Sequence, residues 1–338
     1  MKRILTLFYI SLTAGLIFAI AGGIMIDRGQ VNMGQIYEIL EENLQFGDKK
    51  VTFEPSDSPE ISDTENYTTD KKVTYPLNEF HTVEIFAESC SVEFKTTDAD
   101  DMSISLDYPK KLQNKIFLRT AVKNGSLNVL TTWTDDSVSS KDVYLTIEIP
   151  ENYKGGYSVN GNSTVMELCD IESSMDIAFN LLASTVNAKT LTAGDISIEM
   201  SSSTFNAEKL SSRGSAEVST ESSTVNINTL DSLYTKLLSN SSTLNLKDIT
   251  GGVTADSQMS TFNCDFKAVT GNISVTAETG SISIKIPHNS PVSLRHEESY
   301  STFTDNVKWT EKKSKNENSR YIIDTNVKFS IVTLEEKE

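Results

Sequence analysis

The sequence predicts an all-β protein: a parallel β-solenoid (β-helix) of about seven two-strand coils with flanking β caps, preceded by one N-terminal transmembrane helix. Three observations predict it. Short alternating apolar runs are typical of strands, a Ser-Thr-containing motif recurs with a period near twenty residues, and a long apolar segment stands at the N-terminus. A regular internal period of this length is typical of stacked arrays, in which each repeat contacts only its neighbours.

The N-terminal segment, residues 1–28, is the predicted membrane anchor. An apolar run over residues 4–26 follows a Lys-Arg pair, and about twenty apolar residues in a helix can cross a bilayer. The positive charges before the run favour a cytoplasmic N-terminus. The chain is therefore expected at the cell membrane as a single-pass protein with an extracytoplasmic C-terminal domain. The alternative is a cleaved signal peptide, because Ala-Ile-Ala at residues 19–21 resembles a cleavage site.

Two further segments separate the anchor from the strand-rich part of the chain. Residues 29–46 carry apolar side chains at helical spacing with glutamates between them, which predicts a juxtamembrane helix. Residues 47–72 are rich in Asp, Glu, Ser, Thr and Pro and poor in apolar residues. That composition cannot bury a core and is typical of a flexible acidic linker.

Strand-like segments flank the repeats on both sides. Residues 73–157 are predicted to form an N-terminal β region, where the strictly alternating run 143–149 ends at Pro150, a residue that stops a strand. Residues 288–338 are predicted to form a C-terminal β cap, since an open terminal coil would expose unpaired strand edges. The candidate closing strands there are Val307–Trp309, Tyr321–Ile323 and Val327–Leu334.

The repeat region, residues 158–287, is the predicted core of the solenoid. Each repeat contains Ser-Thr followed by an apolar residue and usually by Asn, and a degenerate copy closes the series. The threonines, with Ser281 in the last copy, lie 18 to 21 residues apart. The copies are Ser163–Val165, Ser184–Asn187, Ser203–Asn206, Ser223–Asn226, Ser242–Asn245, Ser260–Asn263 and Gly280–Ser283.

Each period is predicted to hold two strands joined at a bend. An alternating triplet with an apolar central member, such as Ile196, Ile198 and Met200, precedes each Ser-Thr corner, and alternation at period two places the triplet on one face. After the corner the apolar positions change parity, as at Phe205 and Ala207, which a bend requires. Small serines let the backbone turn tightly, and neighbouring coils would stack about 4.8 Å apart as parallel strands.

Two polar columns follow from this alignment and form the predicted binding residues. The functional interpretation is a regular face of hydroxyls and amides that binds glycans, a cell-wall polymer or the strand edge of another protein. The structural interpretation is that stacked Asn and Thr side chains hydrogen-bond to one another and stabilise the coil; the two are compatible. The residues are Thr185, Asn187, Thr204, Asn206, Thr224, Asn226, Thr243, Asn245, Thr261 and Asn263.

Composition argues against several classes of function. Lys and Arg number 30 and Asp and Glu 47, a net charge of −17, so the chain should repel phosphate backbones and nucleic acid is not an expected partner. Cys90, Cys169 and Cys264 are far apart in sequence and odd in number, so the sequence indicates neither a disulfide framework nor a zinc-ligand spacing, and they are interpreted as small buried hydrophobes. The histidines lack metal-ligand spacing, and no phosphate loop, nucleophile elbow or zinc-protease motif occurs.

We therefore expect a protein that is not an enzyme, with no catalytic residues, no metal and no cofactor. Some β-helices cleave polysaccharides, and those need carboxylates grouped on one face. The acidic residues of these coils do not fall into one column, so they are interpreted as solvated surface.

Several features together resemble a known family. They are the anchor, the Val83–Phe94 strand pair, the Leu145–Pro150 strand that ends in Ile-Pro, and serial Gly-x-Ile/Val-x-Ile/Val coils such as 194–198 and 271–275. The chain is similar over roughly residues 75–335 to the "putative adhesin" β-strand-repeat family of unknown function, which includes LiaG-like exported envelope proteins of Gram-positive bacteria. The resemblance implies a β-helical exported domain, often tied to envelope stress or membrane-associated regulation, without catalytic residues. This sequence departs from the family in favouring Ser-Thr over Gly at the corner.

Three functional hypotheses remain at this point. The first is a membrane-anchored extracytoplasmic scaffold that binds an envelope protein or a cell-wall polymer in the manner of an adhesin. The second is a sensor or regulator subunit of an envelope-stress system that acts through its transmembrane helix. The third is a glycan-active enzyme.

Overall fold

The computed structural model describes residues 71–134, 143–309 and 319–337. The predicted anchor at residues 4–26, the predicted helix at 29–46 and all but the last two residues of the predicted linker lie outside the described residues. Of the helices within the described ranges, none has the length and apolar character needed to cross a membrane.

The described chain is built from strands and two short 3-10 helices, Leu77–Glu79 and Lys110–Leu112. The first strands are β1 Lys72–Pro76, β2 Thr82–Glu88, β3 Ser91–Thr97, β4 Asp101–Asp107, β5 Ile116–Lys123, β6 Ser126–Trp133, β7 Tyr144–Pro150, β8 Gly156–Asn162, β9 Val165–Leu168 and β10 Ile171–Glu172. Those that follow are β11 Ile177–Leu182, β12 Thr185–Ala193, β13 Ile196–Ser201, β14 Thr204–Ser212, β15 Ser215–Glu221, β16 Thr224–Ile227, β17 Leu230–Asn240, β18 Thr243–Pro287, β19 Val292–Ser299, β20 Thr302–Asn306 and β21 Tyr321–Lys337.

One wall of the stack is formed by the strand that precedes each corner. The strands β8, β11, β13, β15 and β17 pair in parallel in that order, and β17 continues into the following coil of β18. Equivalent residues of the inward triplets lie side by side, as Phe179, Ile198 and Val218 do. The predicted parallel β-solenoid is therefore the fold of the repeat region.

The strands that follow the corner form a second wall and lead into a short third side. The second wall consists of β9, β12, β14, β16 and the start of β18, again parallel and in register. On the third side β10 pairs with the end of β12, and Leu210 at the end of β14 pairs with Leu230. The prediction of two strands per coil is corrected by this short third strand, which forms because a further apolar residue of the coil turns inward, where Leu210 and Leu230 are fully buried.

The N-terminal coil is inserted between two coils that come later in the chain. The strand β2 lies between β6 and β8, and β3 lies between β7 and β9, all in parallel. Antiparallel strands complete this end, with β4 on β7, β1 on β4 and β5 on β6. Much of the predicted N-terminal β region thus contributes coils to the same stack.

The C-terminal segment is inserted in the same way. The strand β21 lies between the last coil of β18 on one side and the coil of β19 and β20 on the other. The stack therefore contains more coils than the seven predicted from the repeats. Of the predicted closing strands, Tyr321–Ile323 and Val327–Leu334 are parts of β21, whereas Val307–Trp309 is not a strand. The Asp305 carboxylate accepts hydrogen bonds from the Val307 N–H (3.0 Å) and the Trp309 indole (2.9 Å), which turns the chain there.

The alignment of the first repeat also needs a correction. Thr185 pairs with Val165, not with Thr164. The Thr164 backbone N–H donates to the Ser184 hydroxyl at 3.1 Å, so Thr164 occupies the serine position of its coil.

The core is a continuous column of apolar side chains enclosed by the walls. Phe205, Phe262 and Phe266 are its largest fully buried members. Phe179 packs edge-on against Phe205 in the next coil, with ring centroids 5.5 Å apart. Cys90 and Cys264 are buried free thiols whose pKa is raised to about 12 by burial, and Cys169 is half-buried against the core.

Candidate functional site

The ten predicted polar residues lie together on the outside of the second wall. Thr185, Thr204, Thr224 and Thr243 pair in register through adjacent coils, as do the asparagines two residues later. The last coil joins the array through a hydrogen bond from the Thr261 backbone N–H to the Ser242 carbonyl, 2.9 Å. We call these ten residues, five Thr and five Asn, the ladder face.

The asparagines form an unbroken chain of side-chain hydrogen bonds. Each amide Nδ2 donates to the Oδ1 of the asparagine in the preceding coil: Asn206 to Asn187 at 2.9 Å, Asn226 to Asn206 at 2.8 Å, Asn245 to Asn226 at 2.8 Å and Asn263 to Asn245 at 2.7 Å. The chain ends where Asn187 donates to the Glu167 carboxylate at 2.7 Å. Because amide dipoles aligned in this way polarise one another, the array is fixed cooperatively.

Each amide keeps hydrogen-bonding capacity that the ladder does not use. A side-chain amide has two N–H donors and two acceptor lone pairs, and a bond to each neighbour uses one of each. Asn206, Asn226 and Asn245 are partly exposed, and Asn263 is exposed. The ladder face can therefore offer a donor and an acceptor to solvent or a ligand at every coil, with a spacing of about 4.8 Å.

The threonine column behaves differently from the asparagine column. All five threonines are partly exposed, and within the described ranges no group hydrogen-bonds to their hydroxyls. Each hydroxyl can donate one hydrogen bond and accept two. The expectation of hydroxyl–hydroxyl bonds along this column is therefore not met in the described part of the chain. The hydroxyls are available to a ligand instead.

A column of buried serines lies one residue before the threonines. From the sequence these serines were interpreted only as small residues at the corner. The Ser184 N–H donates to the Ser203 hydroxyl (3.0 Å), the Ser203 N–H to the Ser223 hydroxyl (3.1 Å), and the Ser223 N–H to the Ser242 hydroxyl (3.1 Å). Each hydroxyl also donates to the carbonyl two residues before it, for example Ser223 to Glu221 at 2.6 Å. These bonds satisfy buried backbone groups at the corner and fix the orientation of the second wall.

The tight corner itself depends on one residue in the left-handed conformation. Ala183, Ser202, Ser222 and Ser241 precede the buried serines and have φ between 49° and 51°. A short side chain limits the strain of this conformation. The recurring Ser-Thr pair was the available signal for the corner, but the residue before the buried serine adopts the turn conformation.

A cleft of about 570 Å³ opens at the acceptor end of the asparagine ladder. Glu167 and Asn187 lie in its wall, together with Lys95, Lys189 and the half-buried Cys169. Lys95 forms an ion pair with Glu93 at 2.8 Å, also in the wall. The cleft thus combines amide, ammonium and carboxylate groups beside the start of the ladder face. Neither in the cleft nor in the rest of the described ranges does a group of three or more His, Cys, Asp or Glu side chains lie together so that it could hold a metal ion.

Glu221 is a buried carboxylate on the opposite side of the corner. Only 8% of the residue is exposed, and its Oε2 has no hydrogen-bond partner within the described chain. Desolvation by burial raises the pKa of this carboxyl. An unpartnered buried carboxylate costs stability when it is ionised.

We expect Glu221→Gln to stabilise the protein at neutral pH by on the order of 1 kcal/mol. Because the folded-state pKa is raised, the acid stabilises the fold relative to its ionised form, and this contribution is lost as the pH rises through the folded pKa. The difference in the free energy of unfolding between the variant and the wild type should therefore be smallest at acidic pH and should grow toward neutral pH. Urea unfolding of both proteins at several pH values measures it, and a constant difference would contradict the assignment.

Comparison with known proteins finds one family model that matches most of the chain. The sequence model of the family described as Toastrack DUF4097 matches residues 80–330. No curated protein matches the chain.

Solved structures with low sequence identity are also similar. One is described as a "putative adhesin" from Bacteroides fragilis, with 14% identity, coverage of 79% of this chain and 96% of that one, and a TM-score of 0.40. A second "putative adhesin", from Parabacteroides distasonis, has 13% identity, coverage of 80% and 97%, and a TM-score of 0.35. A "putative cell adhesion protein" from Clostridium sporogenes has 9% identity, coverage of 80% and 100%, and a TM-score of 0.24.

Proposed function

This chain belongs to the Toastrack DUF4097 family, and on that premise we propose that it is a membrane-anchored extracytoplasmic scaffold that binds an envelope polymer through the ladder face. The observation that carries the proposal is the continuous asparagine ladder from Glu167 to Asn263, flanked by threonine hydroxyls without partners in the described chain. The proposed role is binding, not catalysis. Anchoring through residues 4–26 is part of the proposal and follows from the apolar N-terminal run.

The ladder face supports binding because it is organised before a ligand arrives. Ordering a long polar side chain on binding costs about 0.5–1.5 kcal/mol. The asparagines are already fixed by bonds to their neighbours, so a ligand meets donors and acceptors that need little further ordering.

The regular spacing favours a polymer that lies along the stack, across the strands. One amide and one hydroxyl recur at each coil, about 4.8 Å apart. An extended peptide advances about 3.3 Å per residue, so its backbone groups would drift out of phase with the coils. A polymer of hydroxyl- and amide-bearing units such as a glycan can match many coils with weak contacts whose energies add.

The charge of the protein limits the chemical class of polymer that it can bind. The net charge of −17 opposes binding of strongly anionic polymers. The cleft at the start of the ladder carries both lysines and glutamates, so it suits an uncharged or zwitterionic segment. We therefore propose a glycan of the cell envelope as the ligand, with the cleft holding its end or a substituent.

The test replaces three central amides, Asn206, Asn226 and Asn245, by Ser. The hydroxyl keeps the position polar but cannot bridge two coils, so both the ladder and its outward groups are lost. We expect at least a tenfold loss of binding to purified cell-wall polysaccharide, measured by co-sedimentation of the full chain in detergent.

The matched control replaces Glu199, Ser219 and Leu238 by Ala. These residues pair with one another on the outside of the first wall in the same three coils. The control should bind as the wild type does. Equal binding by both triple variants would reject the ladder face as the binding site, and polysaccharide binding by none of the proteins would reject the ligand class.

A further inference from the structure

The two ends of the stack are finished differently. At one end the antiparallel strands β4, β1 and β5 lie against the outermost coil. At the other end β19 and β20 each pair on one side with β21, and no further strand of the described chain pairs with their outer side. A row of unpaired backbone N–H and C=O groups favours pairing with another strand.

Two aromatic side chains are exposed beside this open edge. Tyr300 is 87% and Phe329 53% exposed, and their rings stack with centroids 5.3 Å apart and an angle of 10°. They occupy the corner position at which Ala183 and Ser202 stand in earlier coils, with φ of 55° and 51°. The left-handed conformation is unfavourable for a large side chain. A stacked pair of aromatic rings that is exposed to solvent can mark an interaction site.

The charges of β19 indicate which strand can pair with this open edge. Leu294 pairs with the fully buried Ile323, so Arg295 and Glu297 project from the outer surface of the strand. If a second copy of β19 pairs antiparallel about His296, Arg295 of each copy faces Glu297 of the other. Opposite charges directly across an antiparallel pair stabilise it by about 0.2–1 kcal/mol each. Arg295 also lies 3.4 Å from Asp324 in its own chain, which helps to fix its position.

The same register also places the exposed aromatic corner at the interface. Val292 faces the core of its own copy, but its backbone lies opposite Tyr300 of the other copy, so the exposed corner packs beside the start of the neighbouring strand. The β19 side chains near the centre include one cation and two carboxylates, Glu297 and Glu298, beside His296. Pairing of each Arg295 with Glu297 of the other copy offsets one of these carboxylates, so the interface opposes self-association less than an all-acidic strand of this chain of net charge −17 would.

We propose that two copies of this chain associate end to end, with their β19 strands paired antiparallel about a two-fold axis at His296. Such an interface uses the same surface on both copies and is closed, so a dimer forms and not a fibre. The dimer would cover the open edge and the Tyr300–Phe329 pair. It leaves the ladder face accessible along the side of each stack, so it does not depend on the proposed polymer binding.

Charge reversal tests the register as well as the dimer. In Arg295→Glu both copies would place Glu opposite Glu297, and in Glu297→Arg both would place Arg opposite Arg295. Each variant alone should dimerise about tenfold more weakly or worse. An equimolar mixture of the two should dimerise like the wild type, because each Glu of one variant then faces an Arg of the other. Sedimentation equilibrium of the full chain in detergent measures all four samples.

The mixture makes the test independent of folding, since recovery of the dimer shows that both variants are folded. A wild-type chain that stays monomeric at the highest accessible concentration would overturn the proposal. So would a dimer that neither reversal weakens, because its interface would lie elsewhere, or single variants whose mixture fails to recover. Replacing Tyr300 and Phe329 by Ser, the residue of earlier corners, should also weaken the dimer at least tenfold while thermal unfolding still shows a folded chain.

Discussion

Phe205→Ala is expected to lower the free energy of unfolding by about 3–5 kcal/mol. The Phe205 side chain is fully buried and packs against Phe179 in the coil before it. Each coil of a solenoid contacts mainly its two neighbours, so a void at Phe205 weakens both coil interfaces at once. The walls are held by backbone ladders on both sides and cannot collapse to fill it.

Chemical denaturation followed by circular dichroism measures this effect. The control is Phe205→Leu, which keeps most of the volume and should cost less than about 1.5 kcal/mol. A cost for Phe205→Ala near that of Phe205→Leu would mean that the side chain does not fill the interior of the stack.

Ser223→Ala is expected to cost about 1–3 kcal/mol, although only one oxygen atom is removed. The Ser223 hydroxyl accepts the Ser203 backbone N–H at 3.1 Å and donates to the Glu221 carbonyl at 2.6 Å. The carbonyl keeps another partner, the Ser202 N–H at 3.0 Å. The Ser203 N–H has no such substitute and would be left buried and unpaired.

The adjacent corner residue provides the matched control. Ser222 is exposed and in the left-handed conformation, and the same corner position holds Ala183 two coils earlier in the column. We expect Ser222→Ala to change the free energy of unfolding by less than about 0.5 kcal/mol. Equal costs for the two substitutions, measured by urea unfolding, would contradict a structural role for the buried hydroxyl.

The fold of the repeat region could be predicted because its signal is repeated and local. Alternation placed Ile196, Ile198 and Met200 on one face, and the parity change placed Phe205 and Ala207 on the same side after a bend; all five are buried in the core. A one-residue slip would turn each inward residue outward, so the pattern also fixes the register between coils.

The ends of the stack could not be predicted in the same way. Nothing local to β2 and β3 shows that they lie between strands that follow them in the chain, and the same holds for β21. The alternating apolar side chains of these strands can be buried equally well in a cap or in a coil of the stack. Only long-range pairing decides between these arrangements, and one sequence does not contain that information.

The site was predicted in part for a related reason. The asparagine column follows from the sequence period. The first coil was misaligned because its Ser-Thr pair does not occupy the same positions as the later pairs. The buried corner position accepts either hydroxyl residue and holds Thr164 in this coil. The importance of the buried serines was missed because Ser at a corner is also explained by turn propensity. Their hydrogen bonds to the neighbouring coil become visible only in three dimensions.

The distance between equivalent corners of distant coils tests the stacked arrangement on which the ladder face depends. Thr185 and Ser281 are 96 positions apart in sequence but occupy the same column five coils apart. With Cys169 replaced by Ser and spin labels on Thr185→Cys and Ser281→Cys, pulsed electron paramagnetic resonance should give a narrow distribution near five strand spacings, about 24 Å before the length of the labels. A broad distribution, or a mean well beyond that length, would show that the coils are not stacked and that no continuous ladder exists.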